Sequence, residues 1–227
     1  MKKILVGTHN NGKFKEIAYL LPKKYKKISP LKLKIKSPKE TGKSFKSNAK
    51  LKVKFFSKFV DYEVISDDSG LCIKSLNNRP GIFSARLAKK HGSFLKAMKF
   101  ILKNLKNKKN RNATFVCSLS YKDKRGKITT VQGNLKGTIS TKIKGKKGFG
   151  YDPIFIPKGQ KITFGQMSKI KKIKMDHRFL AYKELLKKVK KQKKQKRYFC
   201  LQSFVQKWER KNSNSSRKLK RNYFKKN

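Results

Sequence analysis

Acid is what this chain has least of. Eleven Asp and Glu stand against 64 Lys and Arg in 227 residues, a formal net charge of +53. Such a surplus points first to a polyanionic partner, nucleic acid above all. Arginine is scarce too, at 9 against 55 lysines, whereas base and phosphate readout favours Arg. Aromatic RNP-type strands and Arg-rich reading faces are also missing. The lysine surplus therefore reads as a bias over the whole body rather than a binding face. The three cysteines, Cys72, Cys117 and Cys200, are odd in number and lack metal-type spacing. This excludes a disulfide scaffold or a zinc site and fits a reducing cytoplasm. No apolar run approaches the ~18–20 residues of a membrane span, and the run after Met1-Lys2-Lys3 is too short for a signal peptide. The length suffices for one sizeable core, with room for two lobes.

Against this background, two of the few acids stand side by side in Ser66-Asp67-Asp68-Ser69-Gly70-Leu71. Glu63 to Ser66 reads as a short strand that ends at this polar cluster. Adjacent carboxylates at a strand end call for a counter-ion, for which Mg²⁺ is the usual hard-oxygen choice. The alternative is a turn in which Asp and Ser satisfy local backbone groups and Gly70 supplies positive φ.

The chain opens with a strand, Lys3 to Gly7, a Thr8-His9-Asn10-Asn11-Gly12-Lys13 turn, and a helix with Phe14, Ile17, Leu20 and Leu21 on one stripe. Strand, glycine-bearing loop and helix aim backbone N–H groups at an anion, with Lys13 adding charge. Gly7 to Lys13 fits G-x-x-x-x-G-K, but Phe14 stands where a P-loop needs Ser or Thr for Mg²⁺. Leu31, Leu33 and Ile35 alternate with lysines, which predicts a half-buried strand. Thr41 or Ser44 caps a predicted helix whose apolar face is Phe45, Ala49, Val53, Phe56 and Val60. Glu40 lies in the loop ahead of that helix, within reach of a metal, and Lys52 lies about two turns inside it on another face. Phe94, Met98, Ile101 and Leu105 mark a core-facing helix from about Ser93 to Leu105. Ala113 to Tyr121 alternates as a strand, and Asp123-Lys124-Arg125-Gly126 turns it into a second, Ile128 to Val131. Gly148-Phe149-Gly150-Tyr151-Asp152-Pro153 is either a ring-bearing loop for a planar ligand or an ordinary aromatic turn. Asp176 caps a helix from Arg178 to about Lys190, which puts His177 and Arg178 at a positive helix end.

Five of the eleven acids, Glu40, Asp67, Asp68, Asp152 and Asp176, fall within these short stretches. Taken together, Thr8-x-Asn10-x-Gly12-Lys13, Glu40-Thr41-Gly42-x-x-Phe45-x-x-Asn48-Ala49, Asp67-Asp68-Ser69-Gly70-Leu71, Pro80 to Arg86, Gly148 to Phe155 and His177-Arg178 resemble the inosine triphosphate pyrophosphatase family. The match runs in order from about residue 1 to 190. The resemblance implies hydrolysis of ITP, dITP and XTP to monophosphate and pyrophosphate. It also implies an α/β fold, a mixed twisted central sheet with flanking helices in two lobes around a nucleotide cleft, and a homodimer. It implies roles as well. Glu40 and Asp68 hold Mg²⁺, and Asp68 activates the water that attacks the α-phosphorus. Thr8, Asn10, Gly12, Lys13, Lys52 and Lys172 hold the triphosphate. Phe149, Gly150, Tyr151, Asp152, His177 and Arg178 grip the base, with Ser69 nearby. A 6-oxo purine offers an acceptor where adenine offers a donor, so a site built on that bond rejects the wrong base by ~10⁴-fold or more.

Four positions depart from the family pattern. His9 replaces a small residue and is expected to crowd the base or stack on it. Lys171 replaces a Glu, with Ile173 where a polar residue is usual. Asp176 replaces a Ser, which keeps the cap but adds a charge beside the base pocket. Beyond the family pattern, residues 187–227 carry 17 Lys or Arg against the single acid Glu209. Leu201, Phe204, Val205 and Trp208 fall at i, i+3, i+4 and i+7 there. The expected organisation is a catalytic domain over 1–190 and a lysine-rich extension over 191–227, capable of non-specific nucleic-acid contact. The two competing readings are a basic nucleic-acid-binding protein and a related pyrophosphatase for other modified nucleotides.

Overall fold

A computed structural model describes residues 1–192 and 195. In chain order the elements are β1 (Lys2–Val6), α1 (Asn11–Leu20), β2 (Tyr25–Ile28), α2 (Phe45–Phe56), β3 (Glu63–Ile73), β4 (Arg79–Pro80), α3 (Ser84–Lys90), α4 (Phe94–Asn104), β5 (Asn112–Lys122), β6 (Ile128–Ile139), β7 (Phe155–Pro157) and α5 (Lys169–Ile173). A last helix, α6, runs over 177–192. Met1–Leu185 is one compact unit, and a second begins at Leu186.

The strands form one mixed sheet in the order β2-β1-β3-β5-β6-β7, with β4 added to β3. Its spine is the β5–β6 hairpin, paired without a break from Asn112↔Thr138 to Lys122↔Ile128. Asp123 and Gly126 close the turn as expected, but β6 runs well past Val131. β3 pairs antiparallel along almost all of β5, from Val64↔Lys122 to Ile73↔Ala113.

That pairing corrects the reading of the acid pair. Asp67 and Asp68 lie in the middle of an 11-residue strand, not in a turn at its end. Continuous bonding to β5 supplies the backbone partners that a turn would otherwise provide. The outer edge of β3 is different. β1 pairs there only as far as Val6↔Ile65, and β4 takes over only at Cys72↔Pro80. Between them lies a stretch of β3 edge without a neighbouring strand, and it carries Asp67, Asp68 and Ser69.

Two apolar clusters flank this gap. Val64 packs with Leu5, Val53 and Phe56. Leu71 and Ile73 pack with Met98, Ile101, Phe115 and Phe155. β3 thus begins in one core and ends in the other, and its polar residues lie between. Most of the helices start on a side-chain cap, α3 being the exception. Asn10 accepts from Lys13 N, Ser44 and Ser47 form a reciprocal capping box, Ser93 accepts from Lys96 N, and Asp176 accepts from Phe179 N. Such caps satisfy otherwise orphaned N–H groups.

The strand predicted over Leu31–Ile35 does not form. Pro30–Leu33 is a 3-10 turn capped by Ser29, with Leu31 and Leu33 exposed and only Ile35 buried. Proline lacks the ladder donor and suits the first position of such a turn. The strand forms just upstream, as β2.

Candidate active site

Side chains alternate across a strand, so Asp67 and Asp68 leave β3 on opposite faces. On one face, Asp68 Oδ2 accepts from Asn48 Nδ2 at 3.1 Å, and Asp68 Oδ1 lies 3.8 Å from Lys52 Nζ. Lys52 donates to Glu40 Oε1 at 2.7 Å. Asn48 and Lys52 are one turn apart on α2, and both are buried. Lys52 was expected on another face of that helix; the attraction of two carboxylates turns it inward. Burial works against its ammonium, but Asp67, Asp68 and Glu40 outweigh that and raise its pKa. Burial also pushes the Asp68 carboxyl above its ordinary range, and Lys52 and Lys13 offset only part of the effect. Arg86 Nη2, from α3, donates to the Glu40 carbonyl at 2.6 Å and ties the Glu40 loop across the gap.

On the other face, Asp67 Oδ2 lies 3.3 Å from Lys13 Nζ and 3.6 Å from Arg178 Nε, and it accepts from Ser69 Oγ at 3.0 Å. Burial alone would lift this carboxyl, yet Lys13, Arg178 and Lys52 hold it at about 2. Arg178 Nη2 donates to Ser69 Oγ, and Nη1 donates to Glu16 Oε2, each at 2.8 Å. Lys172 Nζ donates to Glu16 Oε1 at 2.8 Å and also to Asp152 Oδ2. Burial opposes the Glu16 charge, but Arg178 and Lys172 lower its pKa nonetheless.

Glu16 was not among the residues expected here. It is buried on α1 and joins the two cations, Lys172 and Arg178. The one signal lay in the composition: an acid one turn after Lys13, in a chain that has only eleven.

The remaining expected residues separate into those that line this face and those that do not. The Phe149 ring has Lys172 Nζ 4.6 Å from its centroid and Arg178 Cζ at 5.2 Å. A side chain on Gly12 would meet that ring at 2.6 Å, so the first turn of α1 and Phe149 need a glycine between them. Asp152 Oδ2 accepts from Phe149 N at 2.7 Å and sets that loop. His177 is buried, stacks on Phe115 at 4.7 Å, and lies with Nε2 3.2 Å from Arg178 Nη1. Burial, with Arg178, Lys172 and Lys13, pushes its pKa well below the ordinary value, so it is neutral. Accepting from Arg178 at Nε2 leaves the ring proton on Nδ1, a buried atom with no partner among the described residues. Thr8 Oγ1 accepts from Asn10 N at 3.2 Å and braces the first turn.

Tyr151 stands apart. It is buried in the larger core, edge-on to Phe94, with its hydroxyl donating to the Ser84 carbonyl at 2.8 Å. Gly150 is next to Phe94 and takes φ of 66°. Lys172 is committed to two carboxylates and two rings rather than to open solvent. His9 Nε2 lies 2.8 Å from the Ile35 carbonyl, and its ring centroid lies 6.1 Å from that of Phe56.

Among the described residues no three His, Cys, Asp or Glu come together as a metal-holding group. The hard-oxygen set here is a pair, Glu40 and Asp68, both turned towards the same ammonium. Two carboxylates fit a Mg²⁺ ion that keeps its waters and takes its other oxygens from a phosphate substrate. The arrangement therefore offers a hard-cation site on one face of β3 and a row of buried cations and donors on the other.

A model of the Ham1 family matches residues 4–188. The dITP/XTP pyrophosphatase of Methylacidiphilum infernorum is 40% identical over 187 residues, which cover 82% of this chain and 93% of that protein. The protein of the same name from Caulobacter vibrioides is 37% identical over 185 residues, covering 81% and 95%. The solved structure of the Staphylococcus aureus Ham1 protein superposes with a TM-score of 0.74 at 33% identity, covering 84% of this chain and all of that one.

Proposed function

Because the chain belongs to the Ham1 family, we propose that it hydrolyses the non-standard purine nucleoside triphosphates dITP, XTP and ITP to monophosphate and pyrophosphate. The observation that carries this reading is the division of work across β3, with a carboxylate pair on one face and unspent buried donors on the other.

Glu40 and Asp68 would hold Mg²⁺, which supplies positive charge against the phosphate oxygens and favours deprotonation of the attacking water. Asp68 takes the water proton, its carboxylate held in place by Asn48 and Lys52. Thr8, Asn10, Gly12 and Lys13, at the first turn of α1, and Lys52 hold the triphosphate and offset its charge. Asp67 stays ionised beside Lys13 and Arg178 and keeps both cations in place. Phe149 and Asp152 shape the base slot, with Gly150 forming the turn between them. His177 Nδ1–H, a buried donor without an acceptor among the described residues, suits a 6-oxo group, whereas adenine presents a donor there and leaves the bond unmade. Glu16 sets Arg178 and Lys172 behind Phe149. The burial of Tyr151 fits a supporting role behind the slot.

The same reading places the active unit in residues 1–190, with 191–227 as an extension, in a homodimer in a reducing cytoplasm. Free Cys72 and Cys117 fit that compartment. No helix among the described residues is long and apolar enough to cross a membrane.

The test is incubation with Mg²⁺ and a panel of nucleoside triphosphates, with the products identified. Monophosphate and pyrophosphate from ITP, dITP or XTP, with ATP and GTP spared, is the expected outcome. Diphosphate and phosphate, or no turnover, would overturn the reading.

A further inference from the structure

Asn48 occupies a position that the proposed roles do not use. It lies on α2 with no exposed surface, and both ends of its amide are spent. Oδ1 accepts from Gly42 N at 2.8 Å, and Nδ2 donates to Asp68 Oδ2 at 3.1 Å. One partner is a backbone donor in the loop that carries Glu40. The other is the strand carboxylate 20 residues further along the chain. Their opposite needs fix the orientation of the amide, since Gly42 requires an acceptor and an ionised Asp68 requires a donor.

We propose that Asn48 is a positioning residue that keeps Glu40 and Asp68 in register, so that the two carboxylates act on one divalent cation. This rests on the reading of Glu40 and Asp68 as the metal pair. The pair comes from two separate pieces of chain, a loop and a strand, with Lys52 between them. An ammonium is flexible and holds Glu40 only at its carboxylate tip. The Asn48 amide grips the backbone two residues further on. Mg²⁺ demands near-ideal octahedral geometry at short distances, so a loop held only by the long, flexible side chains of Lys52 and Arg86 would lose that geometry.

No other residue type does this work. Asp would set a second carboxylate against Asp68. Ala or Leu would orphan the Gly42 N–H and remove a donor from Asp68. Gln is one carbon too long for a fully buried site. Gly42 carries the matching constraint, because a Cβ there would lie 2.5 Å from Asn48 Oδ1 and 2.4 Å from Ser47 Oγ. Gly42 is thus small because the clamp closes against it.

The test measures Mn²⁺ binding to the full-length protein by electron paramagnetic resonance, without nucleotide, for the wild type, Asn48→Ala and Gly42→Ala. Gly42→Ala displaces the amide while leaving Asn48 unchanged, and it stands in if Asn48→Ala fails to fold. Partners that orient metal ligands typically carry ~10–100-fold in metal affinity, so each variant should bind Mn²⁺ about tenfold more weakly or worse. The Mg²⁺ concentration for half-maximal turnover should rise in parallel. The ITP-to-ATP ratio of kcat/KM should stay constant, because the base face is untouched. A purely structural role would instead lower the melting temperature and leave the Mn²⁺ affinity of the folded fraction unchanged, which would overturn the proposal. A wild type that binds no Mn²⁺ would overturn it as well. If the wild type binds Mn²⁺ with the expected loss in the variants but cleaves no triphosphate, the clamp stands and the nucleotide reading falls.

Discussion

Asp67 and Asp68 are neighbours in sequence and opposites in environment. Asp67 is bonded to Ser69 beside Lys13 and Arg178, while Asp68 is bonded to Asn48 beside Lys52. Their pKa values move apart accordingly, down to about 2 for Asp67 and upward for Asp68. Neighbouring acids driven apart in this way take different roles. Asp68→Asn should cut kcat by ~10³-fold, within the range removed with a general base, and change folding stability little. Asp67→Asn should leave Lys13 and Arg178 facing a neutral amide and cost about 3–5 kcal/mol of stability, the range for a broken buried ion pair. Urea melts and initial rates on both variants check this. Equal stability losses, or an active Asp68→Asn enzyme, would defeat the assignment.

Glu16 should matter to base choice although it carries no step of the reaction. Glu16→Gln keeps the shape but removes the charge that Lys172 and Arg178 share. The ITP-to-ATP ratio of kcat/KM should fall by about tenfold, with the hydrolysis of bound ITP much less affected. Arg178→Ala should narrow the same ratio and raise KM for ITP. If neither ratio moves, the cluster is structural and the base is read elsewhere.

Asp176 gives a pH signature. Burial beside Glu16 pushes its carboxyl up to about 7, against the pull of Arg178, the Phe179 N–H and Lys172. An unfolded Asp titrates near ~3.9, so between those values the folded state binds more protons. The contribution is complete below about pH 4 and is lost as pH rises through about 7, at up to ~1.4 kcal/mol per pH unit. Asp176→Asn keeps the cap that receives Phe179 N and removes the titration. It should flatten stability over this range and make the variant the more stable protein at pH 8. Parallel pH profiles for variant and wild type would exclude Asp176 as the source.

Truncation after Lys190 should leave ITP turnover close to that of the whole chain, because every residue given a role lies upstream. Retention on heparin should weaken and should fall steeply with salt, as expected for lysines that release counter-ions. The Leu201–Trp208 stripe lies outside the described residues. If truncation unfolds the enzyme, that stripe belongs to the fold.

The local elements and the order of the motifs are readable from neighbouring residues alone. Side-chain caps announced α2 and α6, apolar spacing announced α4, and alternation announced the β5–β6 hairpin, because each is a pattern within a few residues. The short stretches that carry Glu40, Asp68, Lys13 and Arg178 stood out in the same local way. Pairing across the sheet decided the rest. The aspartates became mid-strand residues because β5 bonds to β3 past them. The gap beside them exists because β1 and β4 stop short of each other. Neither event is written near residue 67. Glu16 shows the limit best, since its partners Lys172 and Arg178 lie 156 and 162 residues away. Its surface periodicity matches that of any solvated helix acid, and only burial turns it into the link between two cations. Tyr151 is the converse, an aromatic in a ligand-like motif whose hydroxyl found the Ser84 carbonyl in the core. Periodicity tells which side of an element is inside. What meets it there depends on long-range packing, and in this chain that packing chose the partners of nearly every buried charge.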